Sequence, residues 1–247
     1  MGDHMTKTQN YKIRIEENRQ QITNMLSGAD THKRLNNINW LRHELSYAEP
    51  RTLFYVPSRE QLPYLDYNSM KNLGTAYDYI IDNPDTIIDI PEICKLHSML
   101  CTGTPIQGGL FRNTSKVLEL YVDGNRIHAP ESTEIPSKLN EIVYKFNNQN
   151  ECTLMRAFSA HYDLIMLQPF DDFNKRTARL IMNWLLIQGG YRPIVFNQRT
   201  DKQKYKDAIA AKAAGDTKKY TQYMYSCLLR TQNEIINLLK KSRVLWW

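Results

Sequence analysis

Only four cysteines occur in 247 residues, Cys94, Cys101, Cys152 and Cys227, with no Cys-x-x-Cys pair and no cysteine–histidine metal spacing. That excludes a zinc ribbon and a disulfide scaffold. Cys94 and Cys101 stand seven apart on a segment read as helix, where they pack rather than bond. This usage fits a reducing compartment, and a cytoplasmic protein is expected. No run of about eighteen apolar residues is present, so no membrane-spanning helix is expected. No signal peptide is visible. Internal repeats and low-complexity tracts are also missing. The net charge of +6 admits an anionic partner, nucleotide or nucleic acid. No helix-turn-helix or other reader motif accompanies it, which disfavours nucleic acid.

What is present reads as a mostly helical chain with one hairpin, long enough for one sizeable core or a domain with an appendage. Met1 to Met5 has the look of a vector remnant and is set aside. Ile13, Ile15, Ile22 and Leu26 suggest a first helix, and Leu35, Ile38, Leu41 and Leu45 a second over Thr31 to Ala48. Pro50, Pro57 and Pro63 mark a connector. The next helix, capped by Asp66 or Asn68, runs to Asp82 before Pro84. Pro91 opens a helix through Cys101, with Ile93, Leu96 and Leu100 inward. Lys116 to Val122 and Asn125 to His128 flank the turn dipeptide Asp123-Gly124 and predict a β-hairpin. Helices follow at Pro136 to Phe146 and Glu151 to Leu167. Another is capped by Thr200 or Asp201 and stops at Gly215-Asp216. A long one follows, from Thr217 to Lys240.

The stretch Met166 to Pro193 organises the rest. A helix runs into Pro169, the polar loop Asp171 to Lys175 follows, and a second helix spans Arg176 to Gln188 before Gly189-Gly190. The loop feeds a helix N-terminus, where backbone N–H groups lack intrahelical partners and the dipole favours an anion. Asp172, Asn174, Lys175, Arg176 and Arg179 gather there. A carboxylate among three cations suits a phosphate together with Mg²⁺.

The loop resembles the signature of the Fic/Doc family, His-x-Phe-x-Asp/Glu-Gly/Ala-Asn-Gly/Lys-Arg with a second Arg three residues on. Phe170, Asp172, Asn174, Lys175, Arg176 and Arg179 match it. Gln168 stands where that family has its catalytic His, and Phe173 where it has Gly or Ala. Leu96-His97, Gly109-Leu-Phe-Arg112, Ile127-His-Ala-Pro130 and Tyr205 to Asp216 extend the resemblance over residues 66–230. The fold implied is all-α, a Fic-type helical core with one β-hairpin flap. Residues 1–65 would be an N-terminal extension and 231–247 the end of the last helix and a tail.

The resemblance implies an ATP-like donor with Mg²⁺ and transfer of AMP or another phosphate-containing group to a protein hydroxyl. Asp172 would hold the metal. Asn174, Lys175, Arg176 and Arg179 would hold phosphates, with Arg176 also acting in catalysis. Leu118, Leu120, Tyr121 and Val122 of the flap would pair with an extended target segment. The implied partners are a nucleotide and a protein of unspecified identity. Self-association is compatible with the composition. Gln168 occupies the position of the general base, but a carboxamide has no basic nitrogen. The alternative is therefore a catalytically impaired binding or regulatory protein. His161 lies seven residues earlier, about 10 Å along the helix axis, too far to replace the base, and is read as a core histidine. His128 on the hairpin is a second histidine to locate. Phe173 either narrows the pocket or turns outward. No Ser/Thr-x-x-x-Glu-Gly/Asn match near either terminus suggests a built-in inhibitory helix.

Overall fold

The computed structural model describes residues 6–27, 64–196 and 198–244. The expected helix at Thr31 to Ala48 and the proline-rich connector after it lie outside these residues. Among the described residues there are eight α-helices and one two-stranded antiparallel sheet. In chain order the elements are α1 (Lys7–Ser27), α2 (Tyr64–Asp82), α3 (Ile90–Cys101), β1 (Val117–Val122) and β2 (Asn125–His128). A short 3₁₀ turn precedes α4 (Ile135–Asn147), and then come α5 (Thr153–Leu167), α6 (Asn174–Gln188), α7 (Gln198–Ala213) and α8 (Thr217–Val244).

Helix α6 is the axis of the core. From Thr177 to Leu186 every residue is buried, which is the signature of a helix packed on all sides. Helices α5, α3 and α2 pack against it. Asn183 and Trp184 are satisfied inside. Asn183 donates to the Tyr77 hydroxyl (2.7 Å) and the Ile194 carbonyl (3.1 Å), and accepts from the Ile194 amide (2.8 Å). The Trp184 indole N–H donates to the Asn83 carbonyl at 3.0 Å. Each buried polar group left without a partner would cost about 1–3 kcal/mol.

Local chemistry sets the helix ends. The Asp89 carboxylate caps α3 by accepting from the Glu92 amide at 2.9 Å, with Pro91 in the first turn. The Asp216 carboxylate accepts from the Lys219 amide at 2.9 Å at the start of α8. The expected cap at Thr200 or Asp201 is corrected, because α7 begins at Gln198. Asp201 instead pairs with Arg230 of α8 at 2.5 and 2.9 Å. Helix α1 lies along α8, where Ile22 and Met25 join Ile235, Ile236 and Leu239 in a small second cluster.

The hairpin turns at Asp123 (φ 49°) and Gly124 (φ 80°), the paired positive angles of a two-residue turn that matches strand twist. Its register pairs Val117 with His128, Tyr121 with Arg126 and Val122 with Asn125. From Val117 to Tyr121, β1 is opposed only by Arg126 to His128, so the ladder is irregular over Leu118 to Leu120. Such bulges re-aim a strand. Here the bulged stretch faces α7 and the loop before α6.

Candidate functional site

The loop between α5 and α6 is held by hydrogen bonds to its carbonyls. Seven consecutive carbonyls, from Leu167 to Phe173, each accept a hydrogen bond, from five residues in all. Arg112 takes the first three. Its guanidinium donates to Leu167 (3.3 Å) and Gln168 (2.6 Å), and its amide donates to Pro169 (3.0 Å). Asn174 Nδ2 donates to the Phe170 carbonyl at 2.7 Å. Lys116 Nζ reaches the Asp171 carbonyl. His97 Nε2 lies 3.1 Å from the Asp172 carbonyl. The Thr177 amide and hydroxyl close on Phe173 at 2.9 and 3.1 Å. These bonds hold the loop in one shape against the first turn of α6, whose leading amides have no intrahelical acceptor and whose dipole favours an anion.

His97 is defined by its partners. Its Nδ1 accepts from the Gly109 amide at 2.9 Å, so the proton sits on Nε2 and is donated to Asp172. The ring stacks on Phe170, with centroids 3.7 Å apart and planes 5° off parallel. Burial pushes its pKa down, opposed by the bond to Asp172. Gly109 is required there: φ is +77°, and a Cβ would meet the Ser98 hydroxyl at 2.5 Å.

Two residues of the loop hold left-handed backbone. Gln168 ends α5 at φ 47°, and Phe173 precedes α6 at φ 55°. A Gly at the Phe173 position would carry no steric cost. Phe173 keeps its ring under the Arg176 guanidinium, 4.5 Å from ring centroid to Cζ. So the ring neither blocks the loop nor leaves it; it forms a wall of the recess and a platform for Arg176. Gln168 is buried, and its Nε2 donates to the Ile165 carbonyl at 2.8 Å.

Gln168, Asp172, Asn174, Lys175, Arg176 and Arg179 all border one cavity of about 560 Å³, closed on its far side by β1 and α7. Lys116, Lys202, Lys206 and Tyr205 also line it. Six cations thus face three carboxylates, Asp172, Glu119 and Asp201. Glu119 on the hairpin lies 3.8 Å from Lys206 on α7. Within this recess, desolvation pulls the Lys175 pKa down, and Glu119 counters it. Asp172 Oδ1 accepts from the Phe173 amide at 2.6 Å, which fixes the carboxylate at the cavity edge. No cluster of three or more metal-ligating His, Cys, Asp or Glu side chains occurs among the described residues. Mg²⁺ held by one carboxylate plus phosphate and water oxygens needs none, so this donor set fits it.

Several sequence expectations take a different form. Asn174 borders the cavity and also braces the loop, each polar end of its side chain making a hydrogen bond to Phe170. Leu118 and Leu120 face the core with 6% exposure each, so only their backbone is offered to a partner. Tyr121 and Val122 lie on the hairpin outside the cavity lining, and Tyr121 is exposed. His128 is exposed on β2 and does not line the cavity.

His161 is fully buried. The Tyr220 hydroxyl donates to the Phe158 carbonyl at 2.8 Å, so it accepts from His161 Nδ1 at 2.8 Å. His161 Nε2 then accepts from the Tyr205 hydroxyl at 2.9 Å. Burial, with Arg179 and Lys212 adding repulsion, pushes the His161 pKa down to about 3. Its role is to fix Tyr205 at the cavity wall. Sequence reasoning gave Lys116 no role, and it noted His97, Arg112 and Tyr205 only within wider segments. The segments Leu96-His97, Gly109-Leu-Phe-Arg112 and Tyr205 to Asp216 were the local signals available for those three.

The model of the Fic/DOC family matches residues 87–186. A protein adenylyltransferase Fic from Culex quinquefasciatus is 31% identical over 199 residues, covering 76% of this chain and 38% of the relative. The chain therefore spans well under half the length of that curated relative. A Fic family protein from Desulfovibrio desulfuricans superposes with a TM-score of 0.78 at 16% identity, covering 96% of this chain and 76% of the other. IbpAFic2, solved covalently tethered to Cdc42, superposes with a TM-score of 0.57 at 16% identity, covering 90% and 76%. The two structural likenesses establish the helical fold.

Proposed function

The chain belongs to the Fic/DOC family through its residues 87–186, and on that premise we propose that it binds a nucleoside triphosphate at the loop 168–179 and transfers its nucleotidyl group to a protein hydroxyl. The observation that carries this reading is the single cavity bordered by Asp172, Lys175, Arg176 and Arg179 at the start of α6. A helix start and three cations on one recess suit a phosphate.

ATP would supply the phosphorus centre, and Mg²⁺ would be held at Asp172 with phosphate oxygens, neutralising charge there. The α6 amides and Arg176 bind and orient the phosphates, and Phe173 holds the Arg176 fork in place. The open edge of the hairpin, irregular over Leu118 to Leu120, takes an extended target segment by backbone pairing. Exposed Val117 and Tyr121 meet its side chains. The target oxygen forms a bond to the α-phosphorus as the bond to pyrophosphate breaks. Its proton passes to water, since Gln168 has no basic nitrogen. Losing the base slows transfer by about 100- to 10,000-fold. The curated relative named a protein adenylyltransferase and the neighbour tethered to Cdc42 support a protein target. The four cysteines, all free thiols, support a cytoplasmic setting.

Gln168 also favours a second reading. Its amide is tied to the Ile165 carbonyl, which suits a protein that holds nucleotide and target without efficient transfer. Calorimetry with ATP and Mg²⁺ tests the binding common to both. Arg176→Ala should lower affinity at least tenfold, the scale of a lost charge-assisted bond to phosphate. No binding by the wild type at millimolar nucleotide, or unchanged binding in the variant, would overturn it. Incubation with α- and γ-labelled ATP and cell lysate separates transfer from binding alone.

A further inference from the structure

Arg112 stands apart from the phosphate-facing residues, and it is 2% exposed. Every hydrogen bond it makes goes to a backbone carbonyl. Nε donates to Gln168 at 2.6 Å, Nη2 to Pro130 at 2.6 Å and Leu167 at 3.3 Å, and Nη1 to Thr114 at 2.5 Å. Its amide donates to Pro169 at 3.0 Å. Thr114 lies just before β1 and Pro130 just after β2. One planar group therefore holds both feet of the hairpin and the last turn of α5 leading into the loop. The neighbouring Phe111 ring adds a contact with Phe170, at 5.9 Å between centroids.

Burying a cation among neutral acceptors is costly unless all its donors are used. Burial pushes the Arg112 pKa down, opposed by the charges of Glu131 and Asp171. A lysine would carry the same charge but present donors from a single atom, which cannot span three chain segments.

We propose that Arg112 is a positioning residue that couples the hairpin to the loop, so that the two open and close as one unit and keep one spacing. A target segment paired on the hairpin is thereby presented at a set distance from Gln168. That last consequence rests on the proposed function; the coupling itself does not.

Hydrogen exchange read by mass spectrometry on the full chain, without nucleotide and over a low-denaturant series, tests the coupling. In the wild type, amides of 117–128 and of 168–173 should share one opening transition. In Arg112→Lys they should separate, with hairpin protection falling on the order of tenfold while α5 and α8 stay unchanged, a local opening rather than global unfolding. Protection that falls equally across the chain, α8 included, would make Arg112 a general stabiliser and overturn the proposal. Should Arg112→Lys fail to fold, the wild-type series still decides: hairpin and loop opening independently would overturn the coupling, and a shared transition supports it. None of these outcomes needs ATP to bind, so the coupling and the nucleotide site stand or fall separately.

Discussion

Asn174 holds Phe170 by both ends of its side chain: Oδ1 accepts from the Phe170 amide at 2.9 Å and Nδ2 donates to the Phe170 carbonyl at 2.7 Å. The first residue of α6 thus folds the loop back on itself, and the ring carried by that loop stacks on His97. The loop's side of the cavity is shaped by this closure.

Asn174→Ala leaves the buried Phe170 amide and carbonyl without partners, a cost of about 1–3 kcal/mol for each. Asn174→Asp keeps the acceptor and loses the donor, so it should fall between Ala and wild type. Thermal denaturation orders the three. ATP affinity, followed by calorimetry, should decline in the same order because the amides lose their orientation. A stable Asn174→Ala protein with wild-type ATP affinity would remove the brace from the site.

Restoring a base at position 168 should raise transfer. Histidine tolerates the positive φ of that position better than most residues. The bond from Gln168 to the Ile165 carbonyl is worth about 1 kcal/mol, so its loss is tolerable. Gln168→His should accelerate labelling from α-labelled ATP by about 100- to 10,000-fold. Equal rates in the two proteins would place the base elsewhere.

Phe173 does two opposed things. Its ring supports Arg176 through a half-buried cation–π contact of about 0.5–1 kcal/mol. Its bulk also narrows the recess that it walls. Phe173→Leu removes the platform and keeps the bulk, so ATP should bind about two- to fivefold more weakly. Phe173→Gly removes both and relieves left-handed backbone, so ATP should bind more tightly than to Phe173→Leu. Three equal affinities would rule Phe173 out as a determinant.

The pKa of His161 is about 3 in the folded chain and about 6.5 when unfolded. Between these values the unfolded state binds the extra proton. The contribution to stability is therefore complete above pH 6.5 and is lost as pH falls toward 3, with a limiting slope of about 1.4 kcal/mol per pH unit. His161→Gln has no such titration. Denaturant unfolding at pH 7 and pH 5 should show the wild type losing more stability than the variant over that interval. Equal losses would mean that His161 is not held neutral by burial.

The sequence by itself determined the order of elements and the site's address. Pro169, the Gly189-Gly190 pair and Asp123-Gly124 act through their own backbone angles or the next turn, so their effects are written locally. The cations and carboxylate of 172–179 lie within about two helical turns, so their convergence was also legible. Tertiary structure decided what each residue does there. Arg112 reaches Gln168 across 56 positions, Lys116 reaches Asp171 across 55 and His97 reaches Asp172 across 75. No periodicity encodes such pairings; they exist only after α3, the hairpin and α5 pack around α6. The same packing turned Leu118 and Leu120 into the core and tied the Asn174 side chain to the loop. A side chain's charge or polarity is carried by the sequence, but its direction is set by the neighbours that compete for it.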